Sequence, residues 1–258
     1  MMERLSGLLT AFGRSGLVLA YHDILPDRRA VYPYAVREST FLRHLDMVQA
    51  LGLRPVTLAE FTDNLLAGDA SGLVAVVFDD AIVGVHRIAM PRLAERSIPW
   101  TLLPVTDRTG VDPDWWPEAD RTMTRVEIAE ALDSGAALCG HTATHVSLPD
   151  IPPAKALDEL RRSRETLSAW AGREVRDLCY PFGHQTSDVR QLTRDAGYRC
   201  GYSFTNGRCH PATDPFAQPR LAMHEELSPA KFLATVIRPR CTWPPVRDLR
   251  RQPPAVNA

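Results

Sequence analysis

The chain alternates short apolar runs with longer segments whose apolar residues recur every three or four positions. Six apolar runs predict strands: Leu17–Tyr21, Val74–Phe78, Trp100–Val105, Ala136–Gly140, Asp177–Tyr180 and Cys200–Phe204. Helical patterns with defined ends lie between them. Ser39 is placed to cap a helix through Ala50, which Gly52 stops. Thr57 with Glu60, and Thr124 with Glu127, have capping-box spacing, the second ahead of Ile128–Leu132. Pro153–Trp170 is a long amphipathic pattern ended by Gly172, and Ser228-Pro229 opens a last helix with proline at its first position. Strand–helix alternation with no repeat and no dividing linker predicts an α/β fold with a parallel sheet. At 258 residues, a single barrel of strands and helices is the natural architecture.

The pattern changes near the end. Pro239, Pro244, Pro245, Pro253 and Pro254 alternate with Arg240, Arg247, Arg250 and Arg251. Proline blocks helix and removes backbone donors, so residues 239–258 read as an extended tail and residues 1–238 as one domain. A solvated end explains the tail; docking to a partner is the alternative.

Charge and composition then remove several classes. With 30 Lys+Arg against 31 Asp+Glu, the chain has no global basic field for nucleic acid. Its apolar runs, such as Leu73–Phe78, fall far short of the ~20 residues of a membrane helix. Cys139, Cys179, Cys200, Cys209 and Cys241 are odd in number and form no C-x-x-C pair, which reads as free thiols in a reducing compartment. Met1–Ser15 contains Glu3 and Arg4 and lacks a clear cleavage site, so it is not a secretory signal. These features predict a cytoplasmic protein, although a chain shorn of its leader would read the same.

Two places carry candidate chemistry. Val76-Val77-Phe78-Asp79-Asp80 sets two carboxylates where an apolar strand ends. In parallel α/β folds the carboxyl ends of strands carry the active site. An Asp pair there also serves as a turn or helix cap, and alone it points no further. Gly140-His141-Thr142-Ala143-Thr144-His145 again follows a predicted strand. On a helical turn, i, i+4 spacing puts His141 and His145 on one face, able to grip one ion. A carboxylate with two imidazoles suits Zn²⁺ or another divalent ion, with positions left for water and substrate. Asp112-Pro113-Asp114-Trp115-Trp116 either lines a sugar site or packs as a surface loop. Tyr32 and Tyr34 either reach the site or close the barrel. Cys139 should point away from His141 and pack in the core.

Taken in order, Phe78-Asp79-Asp80, His141-Thr-x-x-His145 and Tyr180-Pro181-Phe182-Gly183 resemble the polysaccharide deacetylases, carbohydrate esterase family 4 with its NodB-homology domain. Tyr21-His22-Asp23 is similar to the Y-H-D segment of the branch acting on poly-N-acetylglucosamine. Ile98-Pro99-Trp100-Thr101 is similar to the family's G-I-P-A-T strand, and Ala196-Gly197-Tyr198 follows at the usual distance. The resemblance spans roughly Leu17 to Leu221. It implies a distorted (β/α) barrel, commonly of seven strands, and metal-dependent removal of an N-acetyl or O-acetyl group. It further implies Asp79 as general base, Asp80, His141 and His145 as ligands of one divalent ion with Zn²⁺ first, and Thr142 as the small hydroxyl between the ligands. The backbone N–H of Phe182 would serve the oxyanion. The implied substrate is a small acetylated molecule derived from a sugar, with no nucleic-acid or membrane partner.

The chain departs from the family at several positions. Ala81 replaces the glycine of F-D-D-G, and Cys179 stands where many members have an arginine supporting the base. The late L-x-H motif that supplies the acid is matched one residue out of register by Leu221-Ala222-Met223-His224. His224 therefore ranks first as the acid, with His22 and His184 as rivals; His22 otherwise lines the substrate site. Two further readings stay open: hydrolysis of another C–N bond in a small metabolite, and a degenerate member that binds ligand without turnover.

Overall fold

The computed structural model describes residues 13–237. The 239–258 tail, Cys241 and most of the N-terminal segment lie outside the described residues. In chain order the first elements are β1 (Leu17–Tyr21), β2 (Asp23–Leu25), β3 (Ala35–Arg37), α1 (Glu38–Ala50), β4 (Arg54–Val56), α2 (Leu58–Leu66) and β5 (Leu73–Asp80). Next come α3 (Met90–Glu95), β6 (Thr101–Pro104), α4 (Arg125–Asp133), β7 (Ala137–Leu138), α5 (Pro153–Ala171) and β8 (Asp177–Cys179). The last are α6 (Ser187–Asp195), β9 (Cys200–Tyr202), β10 (Leu221–Ala222) and α7 (Pro229–Ile237).

Every residue of β5 is buried. Strands covered on both faces read as continuous apolar runs, which is why this strand shows no polar alternation. β5 lies parallel to β1, which pairs β10 on its other side. The two ends of β5 have different neighbours on one edge: β4 along Leu73–Ala75 and β6 along Val77–Asp80. β6 pairs β7, and β8 pairs β9. Single parallel bridges complete the circuit, Gly140 with Leu178 and Tyr202 with Gln218 on the way into β10. The staves β1-β5-β6-β7-β8-β9-β10 thus form the expected seven-stranded parallel barrel. It is distorted because two of its seams are bridges rather than ladders.

Strand alternation divides the core. Leu17, Leu19, Tyr21, Val74, Val76 and Phe78 pack outward with Phe41, Leu45 and Val48 of α1. Val18, Ala20, Ala75 and Val77 pack inward with Leu103, Cys139, Cys179 and Tyr202, and with Leu58, Phe61 and Leu65 of α2. Each fully buried Leu, Val or Phe contributes about 1.5–3 kcal/mol relative to exposure, so these two layers hold the barrel. Cys139, Cys179, Cys200 and Cys209 are free and buried; Cys139 packs in the core as expected, but not on the face away from His141, because residues two apart on extended backbone share one parity.

Most of the helix ends follow their capping residues. The Thr124–Glu127 box forms in full, and Gly172 ends α5 at φ 64°. At α2 the Thr57 hydroxyl accepts from the Glu60 N–H, but the Glu60 carboxylate turns to Arg54, so half the box forms. Ser39 is not a cap. α1 begins at Glu38 after Arg37, and the Ser39 N–H is taken by Asp27. Among the described residues no helix is long and apolar enough to cross a membrane.

Candidate active site

The motifs gather at the carboxyl ends of the staves. Asp79 shares the inward parity of Ala75 and Val77. Asp80 alone would face outward with Val76 and Phe78, but it adopts φ 64° and Ala81 φ 54°, which swings the chain and brings both carboxylates to one place. Met123 donates its N–H to the Ala81 carbonyl at 2.7 Å and fixes this turn. The expected helical turn over His141–His145 does not form. Thr142 (φ 65°) and His145 (φ 62°) are left-handed, and the Thr142 hydroxyl accepts the His145 N–H at 3.1 Å. A tight loop rather than a helix face brings the imidazoles together.

The result is a buried trio. Asp80 Oδ1 lies 3.0 Å from His145 Nε2 and 3.4 Å from His141 Nε2. One ligand atom from each of Asp80, His141 and His145 falls within 4.8 Å of the others. His141 Nδ1 faces the Cys179 carbonyl at 2.8 Å and must donate to it, which leaves the Nε2 lone pair aimed at the carboxylate. Burial would raise the Asp80 carboxyl, but His145 and His141 outweigh it and hold it well below the usual range. Burial lowers His145 despite Asp80, whereas for His141 the Asp80 and Asp79 carboxylates overcome burial and raise it. One carboxylate with two converging imidazole nitrogens fits a divalent cation, and Asp80 Oδ1 is buried with no hydrogen-bond partner of its own.

Beside the trio stands Asp79, fully buried. Its Oδ1 accepts from Arg220 Nη1 at 2.7 Å, and Arg220 is equally inaccessible. Arg220 enters ahead of β10, holds the Ser203 carbonyl through Nε at 3.2 Å and stacks over Phe204 at 4.3 Å. Burial would raise the Asp79 carboxyl; Arg220, with His141 and His22, holds it below the usual range. The other oxygen, Oδ2, has no hydrogen-bond partner, and His22 Nε2 lies 3.8 Å from it. Burial lowers His22 against the pull of Asp79 and Asp80. The opposed histidine, His224, does not join this group. It is 34 % exposed and lies 3.5 Å from Glu226. His184 bonds Ser147 at 3.1 Å.

Aromatic rings enclose both halves of the site. Trp115 stacks on His145 at 4.5 Å, and the Phe182 ring meets it edge-on at 4.6 Å. His22 stacks on Phe204 at 5.6 Å and meets Tyr34 and Trp116. The 112–116 loop and Tyr34 therefore reach the site, while Tyr32 packs on Trp116 and donates its hydroxyl to buried Asp23. Arg220 is the residue that sequence reasoning passed over. It stands immediately before the Leu221–His224 run, and a lone arginine leading into an apolar strand was its only trace.

Residues 68–201, just over half of the chain, match the polysaccharide deacetylase family profile. The chain belongs to the polysaccharide deacetylase family. It is thus an enzyme of the deacetylase class, whose members are metal-dependent hydrolases of carbon–nitrogen bonds. No curated protein matches it in sequence. Among solved structures it is similar to the Streptococcus pyogenes deacetylase PplD in complex with acetate, with TM-score 0.75 and 19 % identity over 86 % of this chain and 98 % of that one. IcaB from Ammonifex degensii gives TM-score 0.74 and 24 % identity over 88 % and 98 %. A polysaccharide deacetylase from Bacillus cereus gives 0.72 and 21 % over 86 % and 69 %. At these identities the likeness is one of fold, over most of the chain.

Proposed function

We propose that this deacetylase hydrolyses the acetyl group of an acetylated amino sugar, with Asp79 as general base, His22 as general acid and Asp80, His141 and His145 as the ligands of one divalent ion, Zn²⁺ first. The observation that carries this reading is the convergence of two buried sets, Asp79–Arg220–His22 and Asp80–His141–His145, on one end of the barrel. When bound, the ion would supply polarisation of the acyl carbonyl and acidification of a water. Asp79 Oδ2, kept ionised by Arg220 on its partner oxygen, accepts the proton of the attacking water. His22, whose Nε2 lies 3.8 Å from that oxygen, takes the proton over from Asp79 and gives it to the departing amine nitrogen, so that Asp79 is ionised again, His22 is neutral again, and amide and water become carboxylic acid and amine. The Phe182 backbone N–H, in its left-handed turn at φ 58°, is the oxyanion donor that the family resemblance assigns. Trp115 and Tyr34, both half-buried, supply apolar faces suited to a pyranose ring, with buried Trp116 packed behind Tyr34 and His22.

The test is acetate release from acetylated amino sugars by Zn²⁺- or Co²⁺-loaded protein, wild type beside Asp79→Asn. The asparagine keeps the shape and removes the acceptor, and turnover should fall about 10²- to 10⁴-fold. Undiminished turnover by Asp79→Asn would show that the base lies elsewhere. Absence of turnover by loaded wild type on every acetylated sugar would favour the other C–N substrates or the ligand-binding reading.

A further inference from the structure

The two histidines of the trio are held by different means. His141 sits where β7 ends. Gly140 exchanges backbone hydrogen bonds with β8, accepting from Cys179 N–H and donating to the Asp177 carbonyl, both at 2.9 Å, and the imidazole is pinned by Cys179. His145 has no strand behind it. It ends an irregular loop whose left-handed residues, Thr142 and His145, are unfavourable for non-glycine side chains by about 1–2 kcal/mol each. Something must hold that loop.

The holding group is Glu159 on α5, 8 % exposed and used by no step of the mechanism. Its Oε2 accepts the N–H groups of Ala143 and Thr144, both at 2.9 Å, and its Oε1 accepts the Thr144 hydroxyl at 2.8 Å. From the other side, Asp107 N–H donates to the Ala143 carbonyl at 2.9 Å. Arg162 ties these two supports together, reaching Asp107 at 3.1 Å and Glu159 at 3.4 Å. One buried carboxylate thus takes three donors from the segment between the two ligands.

We infer that Glu159 is a positioning residue that sets the affinity of the site for its divalent ion by fixing His145, leaving His141 untouched. The inference rests on the reading of Asp80, His141 and His145 as ligands. Supporting groups behind metal ligands typically change affinity about 10- to 100-fold when removed, and a loop-borne ligand falls in that class. Glu159→Gln retains one oxygen able to accept both backbone N–H groups, so it should stay near wild-type affinity. Glu159→Ala loses all three bonds.

The experiment is Co²⁺ titration of the full chain followed by visible absorption, with Zn²⁺ competition. It compares wild type, Glu159→Ala, Glu159→Gln, Thr144→Ala, His145→Ala and the Glu159→Ala/His145→Ala pair. Affinity should fall about 10- to 100-fold in Glu159→Ala, recover in Glu159→Gln and fall by a smaller step in Thr144→Ala. In the His145→Ala background the Glu159 change should add nothing, because the ligand it positions is gone. A purely structural role would instead lower the melting temperature and leave Co²⁺ affinity unchanged, or lower affinity equally with and without His145; either result overturns the inference. If Glu159→Ala does not fold, Thr144→Ala decides alone: wild-type affinity there overturns it. Failure of wild type to bind Co²⁺ would overturn the metal reading itself, a result separate from binding that ignores Glu159.

Discussion

Arg220→Met should expose how much of the barrel's stability is tied to the buried Asp79 carboxylate. Arg220 and Asp79 are both fully inaccessible and 2.7 Å apart. Removing one partner of a buried ion pair leaves an uncompensated charge and typically costs about 3–5 kcal/mol. Two further losses fall on the same side chain: the Nε–H bond to the Ser203 carbonyl and the stacking over Phe204, about 1 kcal/mol or more each when desolvated. Methionine fills much of the volume and brings no charge, so packing loss is small. Set against a whole-domain stability of about 5–15 kcal/mol, the single variant should be severely destabilised. Asp79→Asn alone should also destabilise, because it strands the guanidinium. The double variant removes both charges. It should recover the buried-charge part and keep only the lost hydrogen bond and ring contact. Urea denaturation of the four proteins forms a double-mutant cycle, and the coupling should be at least about 2 kcal/mol. If Arg220→Met is as stable as wild type, or the double variant is no better than the sum of the singles, the pair is not an isolated buried couple and water or another group neutralises Asp79.

Two other consequences can be measured. His22→Ala should abolish most amide hydrolysis while sparing an activated ester, whose leaving group needs no proton, and His224→Ala should leave both near wild type; the opposite pattern would restore His224 as the acid. Burial pushes the Asp23 carboxyl up to about 6 despite the Tyr32 hydroxyl and the Ile24 N–H. Folded Asp23 then binds more proton than unfolded Asp23 between about pH 4 and 6, so its contribution falls as pH rises through that window, by up to about 1.4 kcal/mol per pH unit. Thermal unfolding from pH 4 to 7 should show a shallower decline for Asp23→Asn, and an unchanged slope would mean that Asp23 titrates normally.

The sequence was most readable where one local rule decides. All six strands read from apolar runs appear, and β5 runs on through Asp80 as its burial allows. Those missed are the three-residue β2, β3 and β4 and the two-residue β10. The candidate ligands were legible as residues but not as geometry. A spacing of four suggests a helix, whereas the loop is set by Glu159, fourteen residues beyond His145 and on another element. Arg220 was hidden for the same reason, whereas His22 was read as a rival acid and a substrate-lining residue. An arginine that supports Asp79 from 141 positions away leaves no local pattern. His224 was favoured because a motif in chain order suggested it, and the barrel circuit instead puts the end of β1, and His22, beside Asp79.

Strain and unmet polarity coincide in space. The non-glycine residues with positive φ include Asp80, Ala81, Thr142, His145 and Phe182, drawn from three separate segments that meet at the site. The buried polar atoms without hydrogen-bond partners include Asp79 Oδ2, Asp80 Oδ1, His22 Nδ1, His145 Nδ1 and Arg220 Nη2, from the same place. Each class of feature is unfavourable by about 1–3 kcal/mol. A barrel with well-packed inner and outer layers tolerates such a concentration only where the surroundings over-determine it. Ala81 illustrates the point: its methyl is buried, its carbonyl is held by Met123 and its N–H bonds back to the Asp79 carbonyl, so alanine adopts the turn that glycine would take more freely. The departure from F-D-D-G therefore leaves the carboxylates in place, and it gives no support to loss of function. What would relieve the remaining cost is a cation among three ligand atoms, and water and an acyl oxygen between Asp79, His22 and Phe182, which is the composition of a hydrolytic site.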